Sequence, residues 1–405
     1  MKHQFIINRD IIMFSFQSWD TAIGSNFKDM AIELARHNRI LFVNRTLDQS
    51  SLRRKNDDPA TRARLNSIRT GNGELEQVAP NIWVHNPRVL ATSINRIPSA
   101  WIHDLLNKRN NRRIANEINK VSGRLEFSNV ILINDNDFIR GFYLKEFIPC
   151  AAYLFYLRDY MLGVDFFKRH GPRLESGLMK KVDLVVANSA YLAGYASRFN
   201  PKSFDIGQGC DFSSFLNPET AIPADLAACK HPIIGYTGFV SAWRIDAAII
   251  ALIARRFPDC SVVLVGPVDH RFDQKALAAL PNIYFLGGKS PEQLASYINH
   301  FDICLNPQIL NEITRGNYPR KADEYLAMGK PLVATGTEGM AMFAPYCYLC
   351  STPGEYIEKI SAILDDPGRA NSEAVRQQRT AFALSHSWEE SIGMLGDAYF
   401  KATEN

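Results

Sequence analysis

The sequence predicts an α/β protein of two successive domains, each a mostly parallel sheet covered by helices. Three observations carry that prediction. The chain has 405 residues, more than one compact core normally holds. Short β-branched or aromatic runs alternate with helical patterns, as they do in β-α-β units. The alternation then stops at a proline-containing interval near the middle and begins again. A hydrophobic content of 46% and a charged content of 22% describe a globular chain and exclude disordered or fibrous classes.

In the first half the strand-like runs are Ile11–Phe16, Ile40–Val43, Ile82–Val84, Val130–Ile133, Ala151–Tyr156 and Leu184–Ala187. The second series is Ile233–Tyr236, Val262–Val265, Ile283–Leu286, Ile303–Asn306 and Leu332–Thr335, with helical patterns at 246–257, 291–299 and 320–329. Each run of the second series is short, continuous and apolar, as expected of a sheet covered on both faces. Residues 46–77 are polar and predict a long loop or insertion. The division that follows is a Rossmann-like domain at 1–215, a linker at 216–232 holding three prolines, and a second Rossmann-like domain at 233–385.

The net charge of +4 is unevenly spread. Residues 1–225 hold 30 Lys+Arg and 23 Asp+Glu, whereas residues 226–405 hold 16 and 19. A basic half either meets an anionic partner or presents ordinary solvated faces. Seven cysteines are scattered, and only Cys347 and Cys350 are closely spaced. No second pair completes a zinc set, and the odd count fits reduced thiols. The N-terminal run is broken by Arg9 and Asp10, unlike a secretion signal. The longest apolar stretch, Phe147–Leu157, has eleven residues, about half of what a membrane-spanning helix needs. A cytoplasmic protein is expected, with any membrane contact peripheral and at the inner face.

Two stretches carry chemistry. Ile233–Gly238, IIGYTG, is a buried strand ending in a glycine turn, with Asp246 placed to cap the next helix. Such a turn lets backbone approach a ligand, and a helix N-terminus favours phosphate. The second stretch, 311–335, holds Glu312, Arg315, Arg320 and Lys321 before a helix bearing Glu324, which Gly329-Lys330-Pro331 ends. Cations and a carboxylate at a helix start suit a nucleoside diphosphate, the cations for phosphate and Glu324 for ribose hydroxyls.

The series GYTGFVSAWRIDAAII, VVLVGPVD, LPNIYFLGG, FDICLNP and NYPRKADEYLAMGKPLVAT resembles the donor-binding domain of GT-B glycosyltransferases. It is most similar to family four, the retaining group also called group one. In the first half the likeness is looser and lies in SWD at 18–20, RDY at 158–160, VDLVVANS at 182–189 and GQGCDFSSF at 207–215. The resemblance implies two facing Rossmann-like domains, with a C-terminal helix within 386–405 crossing back to the first. It implies that Gly238 lies beneath the donor diphosphate and that Arg244 replaces the usual phosphate-binding lysine, and that Glu324 holds the ribose. Two positions depart from the family pattern: Phe239 stands where an arginine is usual, and Gly316 where the first glutamate of its Glu-(seven residues)-Glu motif would fall. Relatives with Pro-x-Lys-x-x-Glu-Tyr share such departures, and Pro319, Lys321, Glu324 and Tyr325 fit that pattern. There Lys321 supplies the missing charge and Glu312 the missing carboxylate.

The function implied is transfer of a hexose from a nucleotide sugar to a glycan or lipid-linked acceptor, with retention of configuration, in cell-surface polysaccharide synthesis. Arg244, Lys321 and backbone N–H groups would stabilise the leaving diphosphate without metal or cofactor. In the first domain, groups at the C-terminal ends of strands are favoured, which selects Asp20, Asp135, Asp137 and Asp159 for the acceptor side, Asp20 and Asp159 among them as catalytic candidates. Residues 94–124 form a basic amphipathic segment, with Trp101 and Leu105 among Lys108, Arg109, Arg112 and Arg113. It fits either an anionic membrane surface or an ordinary domain helix. A nucleotide-sugar epimerase and a catalytically silent scaffold of the same fold are the alternatives. An NAD dehydrogenase is disfavoured because no Gly-x-Gly-x-x-Gly follows either first strand, and no nucleic-acid partner is expected.

Overall fold

The computed structural model describes residues 3–21, 25–53, 59–71 and 73–403. The chain divides into two compact units, Met1–Gly209 with Trp388–Asn405, and Cys210–Ser387.

The first unit is built on eight strands: β1 Asp10–Phe14, β2 Arg39–Val43, β3 Leu75–Ala79, β4 Ile82–His85, β5 Ile131–Asp135, β6 Ala152–Leu157, β7 Leu184–Ala187 and β8 Ser203–Asp205. Their order is β3-β4-β2-β1-β5-β6-β7-β8, and only β3 runs antiparallel to its neighbour. β1 is buried at every position. Its alternate residues serve opposite layers: Ile12 and Phe14 pack with Leu132, Phe155 and Ile114, and Ile11 and Met13 with Ile131, Leu154 and Leu395. Arg39 clamps Asp10 at 2.7 and 2.8 Å, fixing the start of β1 against β2.

The helix Trp388–Thr403 closes the second layer of this unit through Trp388, Ile392, Leu395, Ala398, Tyr399 and Ala402, a 3.6-residue stripe. A Cβ on Gly396 would stand 1.8 Å from the Gln4 carbonyl oxygen, so the N-terminal segment runs directly against the helix.

In the second unit the strands are β9 Ile233–Thr237, β10 Ser261–Val265, β11 Ile283–Gly287, β12 Ile303–Asn306, β13 Leu332–Thr335 and β14 Tyr348–Cys350. The order β11-β10-β9-β12-β13-β14 is parallel throughout. The sheet is wound outward from β9, so the switch point, where ligands bind in such sheets, lies between β9 and β12. Helix Ala247–Arg256 follows β9, and the Asp246 side chain accepts from Ala248 N at 2.9 Å and Ile249 N at 3.2 Å.

Three expectations need correcting. Residues 216–232 are not a linker: Leu226 and Cys229 are buried with Phe212, Phe215, Tyr297 and Phe301, and Asp225 accepts from Tyr297 and Lys289 at 2.7 and 2.6 Å. Their prolines shape turns in a packed segment of the second unit. Residues 46–77 hold helices Gln49–Arg53 and Pro59–Thr70 before β3. The second holds three arginines and two alanines, which form helix without an apolar stripe. Finally, β3 and β8 lack the apolar run that marks the other strands, because they lie at sheet edges, and β14 is an edge strand of only three residues.

Candidate functional site

In the second unit the site grows from the end of β9. Gly238 follows the strand with φ of 118° and donates its N–H to the Val265 carbonyl at 2.8 Å. Gly266, with φ of 151°, closes the adjacent β10, and a Cβ there would stand 1.9 Å from the Gly238 carbonyl oxygen. Two glycines therefore let the loops after β9 and β10 touch backbone to backbone.

The helix Lys321–Ala327 brings its first residue to this turn. Lys321 donates to the Tyr236 hydroxyl at 2.8 Å and lies 4.3 Å over that ring. A Cβ at 238 would be 3.0 Å from the lysine Nζ, so the ammonium abuts the glycine turn. Four residues on, the Tyr325 hydroxyl accepts from Thr237 N at 2.7 Å and shares a 2.9 Å hydrogen bond with the Thr237 hydroxyl. Residues i and i+4 of one helix face thus bolt it to the last two positions of β9. Burial pushes the Tyr325 phenol well up, which keeps it a neutral partner.

Glu324 is buried, 7% exposed, and accepts from Arg320 Nε at 3.2 Å. Asp323, wholly buried, accepts from the Tyr318 hydroxyl and interacts with His386 Nδ1, each at 2.8 Å. Burial raises the Asp323 carboxyl, and its hydrogen bond with His386 pulls the other way. Gly329, with φ of 70°, ends the helix, with Lys330 N bonded to the Tyr325 carbonyl at 3.0 Å, a Schellman-type stop.

The structure brings Gly238 and Lys321 together and sets Glu324 on the same short helix. Arg244 is half-buried in the loop after β9, and its carbonyl accepts from Ile309 N at 2.9 Å. Asn311 ties the same loop from the other side, donating to the Trp243 carbonyl at 2.9 Å. Glu312 lies exposed on the 311–315 turn, outside the buried group around Lys321. At the departure Gly316, the chain presses on Gly339, where a Cβ would stand 2.3 Å from the Asn317 carbonyl oxygen. Phe239 is 44% exposed.

Sequence reasoning missed Asn306 and Gln308. Both are buried, and both polar atoms of the Asn306 amide and Gln308 Oε1 have no hydrogen-bond partner among the described residues. Asn306 closes β12, next to β9 at the switch point, and Gln308 lies two residues beyond it. Buried polar atoms are almost always satisfied, so these are groups suited to a ligand. The available signal was a polar residue ending an otherwise apolar strand, ICLN.

In the first unit Asp135 ends β5 and is fully buried. Arg158 binds it with Nε at 2.6 Å and a second nitrogen at 3.3 Å, and reaches Asp159 at 3.3 Å. Burial alone would lower the guanidinium pKa, but the two carboxylates hold it above its ordinary value. Asp137 accepts from Ile139 N and Arg140 N at 3.2 and 2.8 Å and from Arg140 Nη1 at 2.9 Å, a turn-capping role. Asp20 is exposed on the turn after β1. Arg158 therefore gathers Asp135 and Asp159, whereas Asp137 is occupied by its own turn and Asp20 lies on an exposed one.

Comparison with known proteins bears on this geometry. Residues 232–366 match the family described as glycosyl transferases group 1. A relative from Bacillus subtilis (strain 168), TuaH, named as a teichuronic acid biosynthesis glycosyltransferase, is 24% identical over 222 residues, 53% of this chain and 56% of that protein. The chain therefore spans little more than half of that relative's length. Two solved structures align over nearly the whole chain. Sucrose-phosphate synthase from Thermosynechococcus elongatus has a TM-score of 0.68 at 16% identity, covering 97% of this chain and 99% of that one. Anabaena HepE in complex with UDP has a TM-score of 0.65 at 14% identity, covering 98% and 100%. This chain has the GT-B fold, and its residues 232–366 are similar to the group 1 glycosyl transferases.

Proposed function

We propose that the protein is a retaining glycosyltransferase that moves a hexose from a nucleoside diphosphate sugar to a glycan or lipid-linked acceptor in cell-surface polysaccharide synthesis. The observation that carries the donor half is the Lys321 ammonium held by Tyr236 against the Gly238 turn, at the switch point of a parallel sheet. A fixed cation and a close-approach glycine turn are what a leaving diphosphate needs, because charge accumulates on its oxygens as the glycosidic bond breaks. Arg244 adds a second cation, and Glu324 accepts hydroxyl hydrogens of the ribose. Retention lets the departing phosphate take the acceptor proton, so the reading assigns no protein nucleophile and no metal. HepE has been solved with UDP and with UDP-glucose, which makes UDP-hexoses the first donors to try. Asp135 and Asp159, gathered by Arg158, are the acceptor-side groups.

Membrane contact is the second part of the proposal. No helix among the described residues is long and apolar enough to cross a membrane. The helix Ala100–Arg124 exposes Trp101 at 74% and Leu105 at 58% beside its lysines and arginines, which suits an anionic inner leaflet.

The test is incubation of radiolabelled UDP-hexose with the protein and membranes that carry lipid-linked glycans. Label should enter the lipid or polymer fraction with its anomeric configuration kept. Consumption of donor without any acceptor, by epimerisation, contradicts the transfer reading.

A further inference from the structure

The first unit contains a cavity of about 820 Å³ whose charged lining is unlike that of an ordinary domain surface. Arg45, Arg96, Arg140 and Arg169 line it, against Asp48 and Asp165. The carboxylates are committed elsewhere. Asp48 accepts from Ser50 N, the Ser50 hydroxyl and Ser51 N at 3.0, 2.6 and 3.1 Å, and Asp165 pairs with Lys168 at 2.7 Å. Arg140 is fixed by Asp137.

Arg45 is different. Among the described residues no carboxylate lies within salt-bridge distance of it. Its guanidinium stands 5.1 Å over the Phe16 ring, on the cavity wall. The neighbouring charge of Arg140, with burial, lowers the Arg45 pKa to about 10, against the opposing pull of Asp137 and Asp48. Two guanidinium groups that line one cavity and are partly desolvated repel one another, an arrangement that an intervening anion relieves. The wall around them is rigid: Asn110 grips Thr92 with hydrogen bonds of 3.0 and 2.9 Å, and Phe16 donates its N–H to Asp135 at 3.3 Å. The cavity thus adjoins the Asp135–Arg158 cluster within the same unit. Phe16, Ile94 and Phe167 supply an apolar wall.

We infer that this cavity binds a phosphate or carboxylate group carried by the acceptor, with Arg45 as its principal cation and the phenylalanine wall receiving the attached ring or chain. Planar guanidinium groups suit oxyanions because they donate two parallel hydrogen bonds. The inference rests on the transfer reading only for what carries the anion; the anion site itself stands on the first unit alone.

The experiment titrates inorganic pyrophosphate by calorimetry into the full-length protein saturated with UDP, which occupies the proposed diphosphate site beside Lys321, and into Arg45→Gln, Arg45→Lys and Lys321→Ala treated alike. Pyrophosphate should bind the unsubstituted protein and Lys321→Ala, weaken about tenfold or more in Arg45→Gln, and recover in part with Arg45→Lys. Arg169→Gln, at an exposed position, gives a second reading should Arg45→Gln fail to fold, and should weaken binding in the same direction. Phosphatidylglycerol vesicles that displace pyrophosphate where phosphatidylcholine vesicles do not assign the anion to a lipid; displacement by neither assigns it to a soluble or glycan-borne group. Absence of pyrophosphate binding overturns the inference, as does equal binding by unsubstituted protein and Arg45→Gln, or loss in Lys321→Ala. UDP titrated first into the same samples reads the donor site separately, and UDP binding retained in Arg45→Gln keeps the two questions apart.

Discussion

Lys321 and Glu324 occupy one turn of one helix but are held differently. The ammonium is presented by a tyrosine hydroxyl and ring, while the carboxylate is buried against Arg320. If both contact the nucleotide, Lys321→Ala and Glu324→Ala should each weaken UDP binding about ten- to a hundredfold, the scale of one lost charge-assisted hydrogen bond. Titration calorimetry checks this, and unchanged affinity in both variants would move the donor site elsewhere. Gly266→Ala should distort the paired loops, because its Cβ has no room beside the Gly238 carbonyl. We expect a loss on the order of 1–3 kcal/mol in chemical denaturation, together with weaker UDP binding. The first unit offers a pH test. Glu175 is fully buried, accepts from Tyr195 at 2.6 Å, and burial raises its pKa from 4.5 to about 7. The folded state therefore keeps a proton that the unfolded chain loses above about 4.5. Stability from this group is present at low pH and is lost as pH rises through about 7, by about 3 kcal/mol in all. Glu175→Gln should flatten the decline between about pH 4.5 and 7, and an unaltered slope would assign it to other groups. Lys321 and Glu324 were legible because their motif and spacing are local. Tyr236, Arg158 and Asn306 were not singled out, since their partners lie far along the chain or their signal is the absence of one.

At the scale of elements, the helix Trp388–Thr403 belongs to the core of the first unit although more than 170 residues of the second unit precede it. A Cβ at Gly209 would stand 2.3 Å from the Trp388 ring, so the indole seals the point where the chain leaves that unit. Trp388→Ala should lower the stability of the first unit by about 3–5 kcal/mol, read as an earlier urea transition, with UDP binding by the second unit kept. Loss of both together would contradict the assignment of this helix to the first unit. The strands of both sheets were legible because each central one is a continuous apolar run. The sequence of helix Ala100–Arg124 has an amphipathic pattern through Trp101 and Leu105, yet its buried face carries Asn107, Asn110, Asn111 and His103 beside Ile114 and Ile118. Those amides hold the loops at 92, 139 and 143, a function no hydropathy pattern reveals. The stretch at 216–232 misled for the reverse reason: prolines mark turns, and turns occur in packed segments as readily as in tethers.

For the molecule as a whole, identities of 14–16% accompany TM-scores of 0.65–0.68. The parallel sheets persist where the side chains have changed almost entirely, and function has to be argued from sites rather than from the fold. Basic charge collects in the first 225 residues, with its arginine-lined cavity, while the second unit carries the glycine turn and Lys321. The central claim is that the second unit is a nucleotide-sugar site. A thermal-shift panel of UDP, GDP, ADP and their hexose conjugates tests it most directly, since a ligand bound only by the native state raises stability with its concentration. The account predicts that one nucleotide family raises the transition temperature, UDP being the first expected, and that Lys321→Ala and Glu324→Ala diminish the rise. No shift with any nucleotide would contradict it.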